Sequence, residues 1–168
     1  MSFPKFLLAA SSLAIVASVV PTRAVQAQTT GTQTVTFAVN AVNQVAFTGT
    51  PSTLTITAAT TGVGLTSVTS AAGPTWAVTT NQTGAKITAS IPTDMPTGLT
   101  LKANLAAPSG ATSLSPVALS STVVDVVTGI TKLAQGSLAL SYKLDATAAA
   151  GVVTSASRIV TYTITGGT

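Results

Sequence analysis

The stretch Leu-Ala-Leu-Ser-Tyr-Lys-Leu at residues 138–144 decides the fold of this chain. Its large apolar residues fall at every second position, and this period of two places them on one face of a β-strand. Such a face has to be buried against another apolar layer. The stretch therefore predicts one half-buried strand of a larger β-protein.

Similar alternating runs, separated by Gly, Pro and Asn, recur through the rest of the chain. The expected strands are residues 32–40, 42–48, 54–56, 65–68, 75–80, 86–91, 99–105, 117–127, 138–144 and 158–165. Residues 117–127 are more uniformly apolar, so they fit either a buried strand or a short helical turn. About eight to ten strands at this spacing predict an all-β, Ig-like antiparallel sandwich. A β-solenoid would show a fixed repeat, and only residues 99–105 and 138–144 echo one another.

The first residues are typical of a secretory signal peptide. Lys5 gives a positive start, residues 6–20 are apolar, and Val25-Gln26-Ala27 is a small-residue cleavage motif. An uncleaved anchor is the alternative, but the apolar run is short for a spanning helix, which needs about 20 residues. We expect a signal peptide over 1–27, an N-terminal extension over 28–40 and a sandwich domain over 41–168. The mature chain is then secreted or at the cell surface, with no membrane span.

The composition excludes the commonest reaction chemistries. The chain contains no His, no Cys and no Glu, and its three acidic residues are Asp94, Asp125 and Asp145. General acid–base catalysis and transition-metal binding depend mainly on these residue types. We therefore expect no enzyme activity, no cofactor, no metal site and no disulfide. The three carboxylates should be structural, with Asp125 paired to Lys132 or capping a turn.

The charge is low and scattered. The whole chain carries +4, and loss of Lys5 and Arg23 with the leader leaves 5 − 3 = +2. Nucleic-acid binding needs clustered basic residues with aromatic platforms, so we expect no nucleic-acid partner. Low charge promotes association, and the expected partner is a second copy of the chain, with other surface proteins or glycans as further partners.

Two terminal runs are candidate assembly strands. Edge strands normally carry charge or proline that prevents pairing, and these runs carry only Arg158. The candidate residues are Val35, Phe37 and Val39 in the first run, and Val160, Tyr162 and Ile164 in the closing run. Residues 32–40 form either an ordinary first strand or a strand donated to the next subunit, a form of β-augmentation.

Two other functions fit the same composition. A carbohydrate-binding module stacks sugars on exposed aromatic rings, and Trp76, which follows Gly73-Pro74-Thr75, is the candidate ligand contact. Its alternative role is that of the central core aromatic of the sandwich. The other aromatic residues fall mostly on apolar strand faces, so we expect them in the core. A functional amyloid also combines low charge with high β-propensity, but the eight prolines and irregular loops oppose a stacked ribbon.

Three features of the sequence carry a resemblance to a known group of proteins. They are the opening Thr34-Val35-Thr36-Phe37, the cysteine-free Thr/Ala/Val body and the closing residues 160–165. The chain resembles secreted bacterial surface β-sandwiches, the group of fimbrial or pilin-like and spore-coat-U-like subunits. The resemblance implies a self-assembling or surface-coating role and supplies no binding residues. The chain departs from chaperone–usher pilins in lacking their common disulfide.

Overall fold

A computed structural model describes residues 30–168 of the chain. The chain divides into an N-terminal unit that ends at Phe37 and a body, Ala38–Thr168. The predicted signal peptide over 1–27 lies outside the described residues.

The described residues form twelve strands and one short 3₁₀ turn, Ala148–Ala150. The strands are β1 (Asn43–Thr48), β2 (Ala59–Thr60), β3 (Gly64–Leu65), β4 (Val68–Thr69), β5 (Thr75–Thr80), β6 (Ala85–Ser90), β7 (Leu99–Leu105), β8 (Thr112–Ser113), β9 (Val117–Ala118), β10 (Val124–Ile130), β11 (Leu133–Ala146) and β12 (Thr161–Thr165). All of their pairings are antiparallel. The predicted all-β antiparallel class without a disulfide is confirmed, whereas the sandwich packing and the likeness to the immunoglobulin fold stay predictions.

Two sheets carry most of the strands. The larger has the order β1-β5-β11-β7-β9, with β4 also paired to β11, and the smaller has the order β12-β6-β10-β8. The short strands β2 and β3 form a separate ribbon. We call the two larger sheets together the sandwich, because their buried side chains belong to one cluster.

That cluster is built from the inward faces of the central strands. Its buried members are Trp76, Val78, Ala85, Ile87, Ala89, Ile91, Leu101, Ala103, Leu105, Leu119, Val126, Val127, Ile130, Leu138, Leu140 and Tyr142. The period of two explains the pattern, since alternate residues of a strand face the core and the others face water. Close-packed apolar side chains from both sheets therefore hold the fold together without covalent staples.

The strand of residues 138–144 extends further than predicted. β11 runs from Leu133 to Ala146, pairing with β5 along its first half and with β7 and β4 along its second. Its register shifts between Gln135 and Leu138, where Ser137 has a positive φ of 57°. A bulge of this kind bends a strand and increases its twist, so β11 serves different neighbours in its two halves.

Four of the predicted strands are corrected. Residues 65–68 are not one strand, because β3 ends at Leu65 and β4 begins at Val68. Residues 32–40 and 54–56 form no strand, because alternation supplies a face but not the partner edge that a ladder needs. Residues 117–127 form neither one strand nor a helical turn: β9 ends at Ala118 and β10 begins at Val124. The polar residues between them turn the chain, and the Asp94 carboxylate accepts a hydrogen bond from the Ser121 N–H there, at 2.5 Å.

Candidate functional site

One side of the sandwich is open. β1 ends the larger sheet, β12 ends the smaller sheet, and no strand among the described residues pairs with their outer edges. Between them lies a groove of about 610 Å³, lined by residues 43–46 of β1, 77–79 of β5 and 162–164 of β12. We call it the β1–β12 groove. Both strands that border it lack charge and proline.

An aromatic contact joins the two sheets along this side. The Phe47 ring stacks on the Tyr162 ring with centroids 4.4 Å apart, and it lies 6.4 Å from the Trp76 ring. The Tyr162 hydroxyl donates a hydrogen bond of 3.0 Å to the Tyr142 hydroxyl. Burial raises the pKa of both tyrosines, and for Tyr162 the bond that it donates adds to the effect. Both phenols therefore stay neutral at ordinary pH, and the open side carries no charge from them.

The opposite side of the sandwich is closed. The edge strands there, β8 and β9, are only two residues long each. The Ser113 hydroxyl donates to the Leu105 carbonyl oxygen at 2.6 Å, and the Leu105 N–H donates to the Ser115 hydroxyl at 2.8 Å. Two serine side chains thus satisfy the Leu105 backbone on β7. Very short edges are one way in which proteins prevent unwanted pairing, so the two sides of the sandwich differ in their capacity to take another strand.

The charged side chains lie away from the groove, as its lining shows. Asp125 pairs with Lys86 across β10 and β6, with 2.9 Å between Oδ1 and Nζ. The expected pairing of Asp125 with Lys132 is therefore wrong, because the strand register brings Lys86 beside it. Asp145 lies 2.8 Å from the Lys102 Nζ and 3.1 Å from the Lys143 Nζ.

The pKa shifts of the aspartates fit structural roles. The Lys102 ammonium and the Ser67 hydroxyl hold the pKa of Asp145 well below its ordinary value. The Ser121 N–H lowers the pKa of Asp94. Both groups are therefore firmly ionised carboxylates that fasten loops and strands. A general acid at neutral pH needs a raised carboxyl pKa, which these two lack.

The closing strand provides one wall of the groove. Val160, Tyr162 and Ile164 are half-buried and pack against the core. Tyr162 and Ile164 belong to β12, whereas Val160 lies just before its first residue, Thr161. The alternation of residues 160–164 thus gives an inward apolar stripe, and the outer edge of the same strand remains available for pairing.

The candidate residues of the N-terminal extension are exposed, so the expectation that Phe37 belongs to the core is wrong. The exposed fractions are 75% for Val35, 88% for Phe37 and 82% for Val39. Together they form an apolar stripe at every second residue, outside any strand of the structure. Large apolar side chains with this spacing are costly to leave in water, since burying one contributes about 1.5–3 kcal/mol.

The prediction that Trp76 contacts a ligand is wrong. It lies on β5, between β1 and β11, and only 1% of its surface is exposed. An indole buried in this way cannot stack on a sugar. Gly73-Pro74 does precede the strand, as the sequence suggests, but β5 is an interior strand and turns the ring into the core.

Sequence reasoning missed a polar cluster where the chain enters the sandwich. The Asn81 side chain accepts a hydrogen bond from the Val42 N–H at 2.8 Å and donates one to the Asn40 carbonyl oxygen at 2.7 Å. The Asn43 carboxamide bonds both Thr80 and Gln82. The turn at residues 81–84 is visible in the sequence, but its contacts to residues 40–43 are distant in the chain and have no local signal.

A comparison of the chain with protein families, with curated proteins and with solved structures finds no match. Over the described residues, no group of His, Cys, Asp or Glu could hold a metal ion. The same part of the chain contains no helix that is long and apolar enough to span a membrane. The β1–β12 groove and its two free strand edges are therefore the features from which a function has to be argued.

Proposed function

We propose that this protein is an exported structural subunit of the cell surface or extracellular matrix that assembles with copies of itself through its open strand edges. Export follows from the predicted signal peptide. The assembly is non-enzymatic and forms filaments like those of pilin-like proteins. Its joint is the β1–β12 groove, and its donor is residues 32–40 of the N-terminal extension of the next copy.

The single observation that carries this proposal is the difference between the two sides of the sandwich. The closed side ends in two-residue strands, with serine side chains bonded to the neighbouring backbone. The open side ends in strands of six and five residues without charge or proline. Unprotected edges of this length are templates for pairing with another chain.

The N-terminal extension is long enough to span the groove and matches it in chemistry. Nine residues in extended form span about 30 Å, and the six residues of β1 span about 20 Å. The stripe of Val35, Phe37 and Val39 offers apolar side chains to a groove whose walls include Val45 and Ile164. Main-chain hydrogen bonds supply affinity in such strand addition, and alternate side chains supply specificity.

An extension at one place and a groove at another give a head-to-tail contact. Contacts of this kind produce rings if the rotation closes and open filaments if it does not. Each subunit fills one groove and offers one extension, so growth continues from both ends. The assembly expected from the fold is therefore a linear chain of sandwiches.

The proposal is tested by placing lysine on the open edges. The double variant Ala46→Lys/Thr163→Lys changes one exposed residue on each bordering strand, and neither substitution buries a charge. We expect it to fold as the wild type does and to stay monomeric in sedimentation velocity. The mature wild-type chain should form filaments visible by electron microscopy.

The matched control places the same changes on the closed side, as Ala118→Lys/Thr112→Lys, where both side chains are also exposed. Net charge is equal in the two double variants, so a general effect of repulsion is separated from an effect at the edges. The control should assemble as the wild type does. A strictly monomeric wild type at high concentration, or equal loss of assembly in both variants, would contradict the proposal.

Export has its own measurement. Mass spectrometry of the chain collected outside the producing cells should find Gln28 as the first residue, or Val25 if cleavage follows Ala24. A chain that keeps Met1 or stays inside the cell would contradict the export part of the proposal and leave the assembly part to the lysine variants.

A further inference from the structure

Asn81 fastens the chain at the point where it enters the sandwich. Its carboxamide bonds the Val42 N–H and the Asn40 carbonyl oxygen, and its own backbone N–H donates to the Val42 carbonyl oxygen at 3.2 Å. Since Asn43 pairs with Thr80 in the ladder, Val42 continues the contact with β5 by one step. Three backbone groups of residues 40–42 are thus held by a single residue, which we call the Asn81 clamp.

Residues 32–40 could in principle occupy the β1–β12 groove of their own chain, which we call self-filling. Self-filling requires the chain to turn back at the Asn81 clamp. β1 starts beside the turn at residues 81–84 and runs away from it, so residues 32–40 precede the strand at that end. To lie along either edge of their own groove, they would have to reverse direction within residues 40–42. Those are the residues that the Asn81 clamp holds against β5.

Strand register adds a second obstacle. The inward side chains of β1 are the odd-numbered Asn43, Val45 and Phe47, which face the partner sheet or stack on its aromatic residues. A hairpin with a two-residue loop at 41–42 would pair residue 37 with residue 46. Residue 46 faces outward, so the apolar stripe of residues 35, 37 and 39 would face the solvent. A shift by one residue flips every side chain to the other face.

Only a loop with an odd number of residues places the stripe inward. The shortest common one has three residues, here 40–42, with residue 37 opposite residue 45. Such loops usually place one residue in the left-handed region, often glycine, whereas Asn40-Ala41-Val42 has no glycine. This loop also breaks the Asn81 clamp, because its backbone groups at residues 40 and 42 are the bonded ones.

We infer that Asn81 prevents residues 32–40 from pairing within their own chain and so leaves them to pair with a second copy. By holding residues 40–42 against β5, it opposes self-filling of the β1–β12 groove and leaves that groove for residues 32–40 of another chain. The inference rests on the proposed function and adds the device that directs pairing between chains rather than within one.

The test is hydrogen exchange of residues 32–40 in dilute, monomeric protein. In the wild-type monomer these amides should exchange freely. In Asn81→Ala two side-chain hydrogen bonds are lost, and at about 1 kcal/mol each the self-filled form should gain about thirtyfold in population. Residues 32–40 then become protected in the monomer, and the yield of polymer falls.

Two further variants keep the test informative if Asn81→Ala folds poorly. A short run of glycines between Asn40 and Ala41 gives the chain a free turning point and leaves the contact between Asn81 and Val42 in place. It should also yield a monomer with residues 32–40 protected. Asp94→Ala is the control, since it removes a similar carboxylate bond to the Ser121 backbone on a loop away from the groove, and it should behave as the wild type.

The outcomes separate the inference from the proposed function. Protection of residues 32–40 already in the wild-type monomer would overturn the role of Asn81. Free exchange in the Asn81→Ala and glycine-insertion monomers alike would overturn it too. If the wild type never polymerises, the proposed function fails, but protection that appears only in these two variants still supports the clamp.

Discussion

Phe37→Ala is the substitution that separates assembly from folding most cleanly. The Phe37 side chain is 88% exposed, so its loss should change the free energy of unfolding of the monomer by less than about 0.5 kcal/mol. In a filled groove the same side chain is buried. Burying a phenylalanine contributes about 1.5–3 kcal/mol, and a loss of about 2 kcal/mol is about a thirtyfold weaker association.

The assay is the concentration of monomer that remains at equilibrium with polymer, measured after sedimentation. We expect it to rise about thirtyfold for Phe37→Ala. A matched valine pair supplies the control: Val39→Ala should raise it about fivefold, for a loss of about 1 kcal/mol. Val152→Ala, where the side chain is 100% exposed outside the groove, should leave it unchanged.

Two results would refute this reasoning. A residual monomer concentration unchanged by Phe37→Ala would mean that the extension is not the donor. A fall of more than about 1 kcal/mol in monomer stability, outside the range for exposed positions, would mean that Phe37 belongs to the fold of its own chain.

Further predictions concern the stability of the sandwich. Tyr162→Phe removes the hydrogen bond to Tyr142, and thermal unfolding should show a loss of about 1 kcal/mol; an unchanged midpoint would contradict a stabilising role for this hydrogen bond. Asp145 has a folded pKa below its ordinary value of 3.8, so its contribution is present above that value and is lost as pH falls. Unfolding free energy should therefore drop in acid, and less steeply in Asp145→Asn. Gly98→Ala combines a φ of +80° with a Cβ that meets the backbone of the 3₁₀ turn, and denaturant unfolding should show a loss above about 2 kcal/mol. Gly110→Ala, with a similar φ and open space around it, should lose only about 1 kcal/mol.

Alternation predicted the strands best where turn residues flank them on both sides. Residues 75–80 and 99–105 are the observed bounds of β5 and β7. Residues 32–40 alternate equally well and form no strand. Alternation specifies an apolar face, whereas a strand also needs a neighbouring edge, and that neighbour is not encoded locally.

The groove itself could be predicted only in part. The closing run and its apolar residues were found from the alternation and the lack of charge. The pairing of Asp125 with Lys86 and the Asn81 clamp both depend on which strands become neighbours. Those contacts join residues tens of positions apart, so no short sequence motif predicts them.

The most direct measurement of the central claim is hydrogen exchange of the polymer compared with the monomer, resolved strand by strand. If copies join at the open side, amides of β1 and β12 gain protection on assembly, and those of β8 and β9 exchange as before. Added protection at β8 and β9, with β1 and β12 unchanged, would contradict the account.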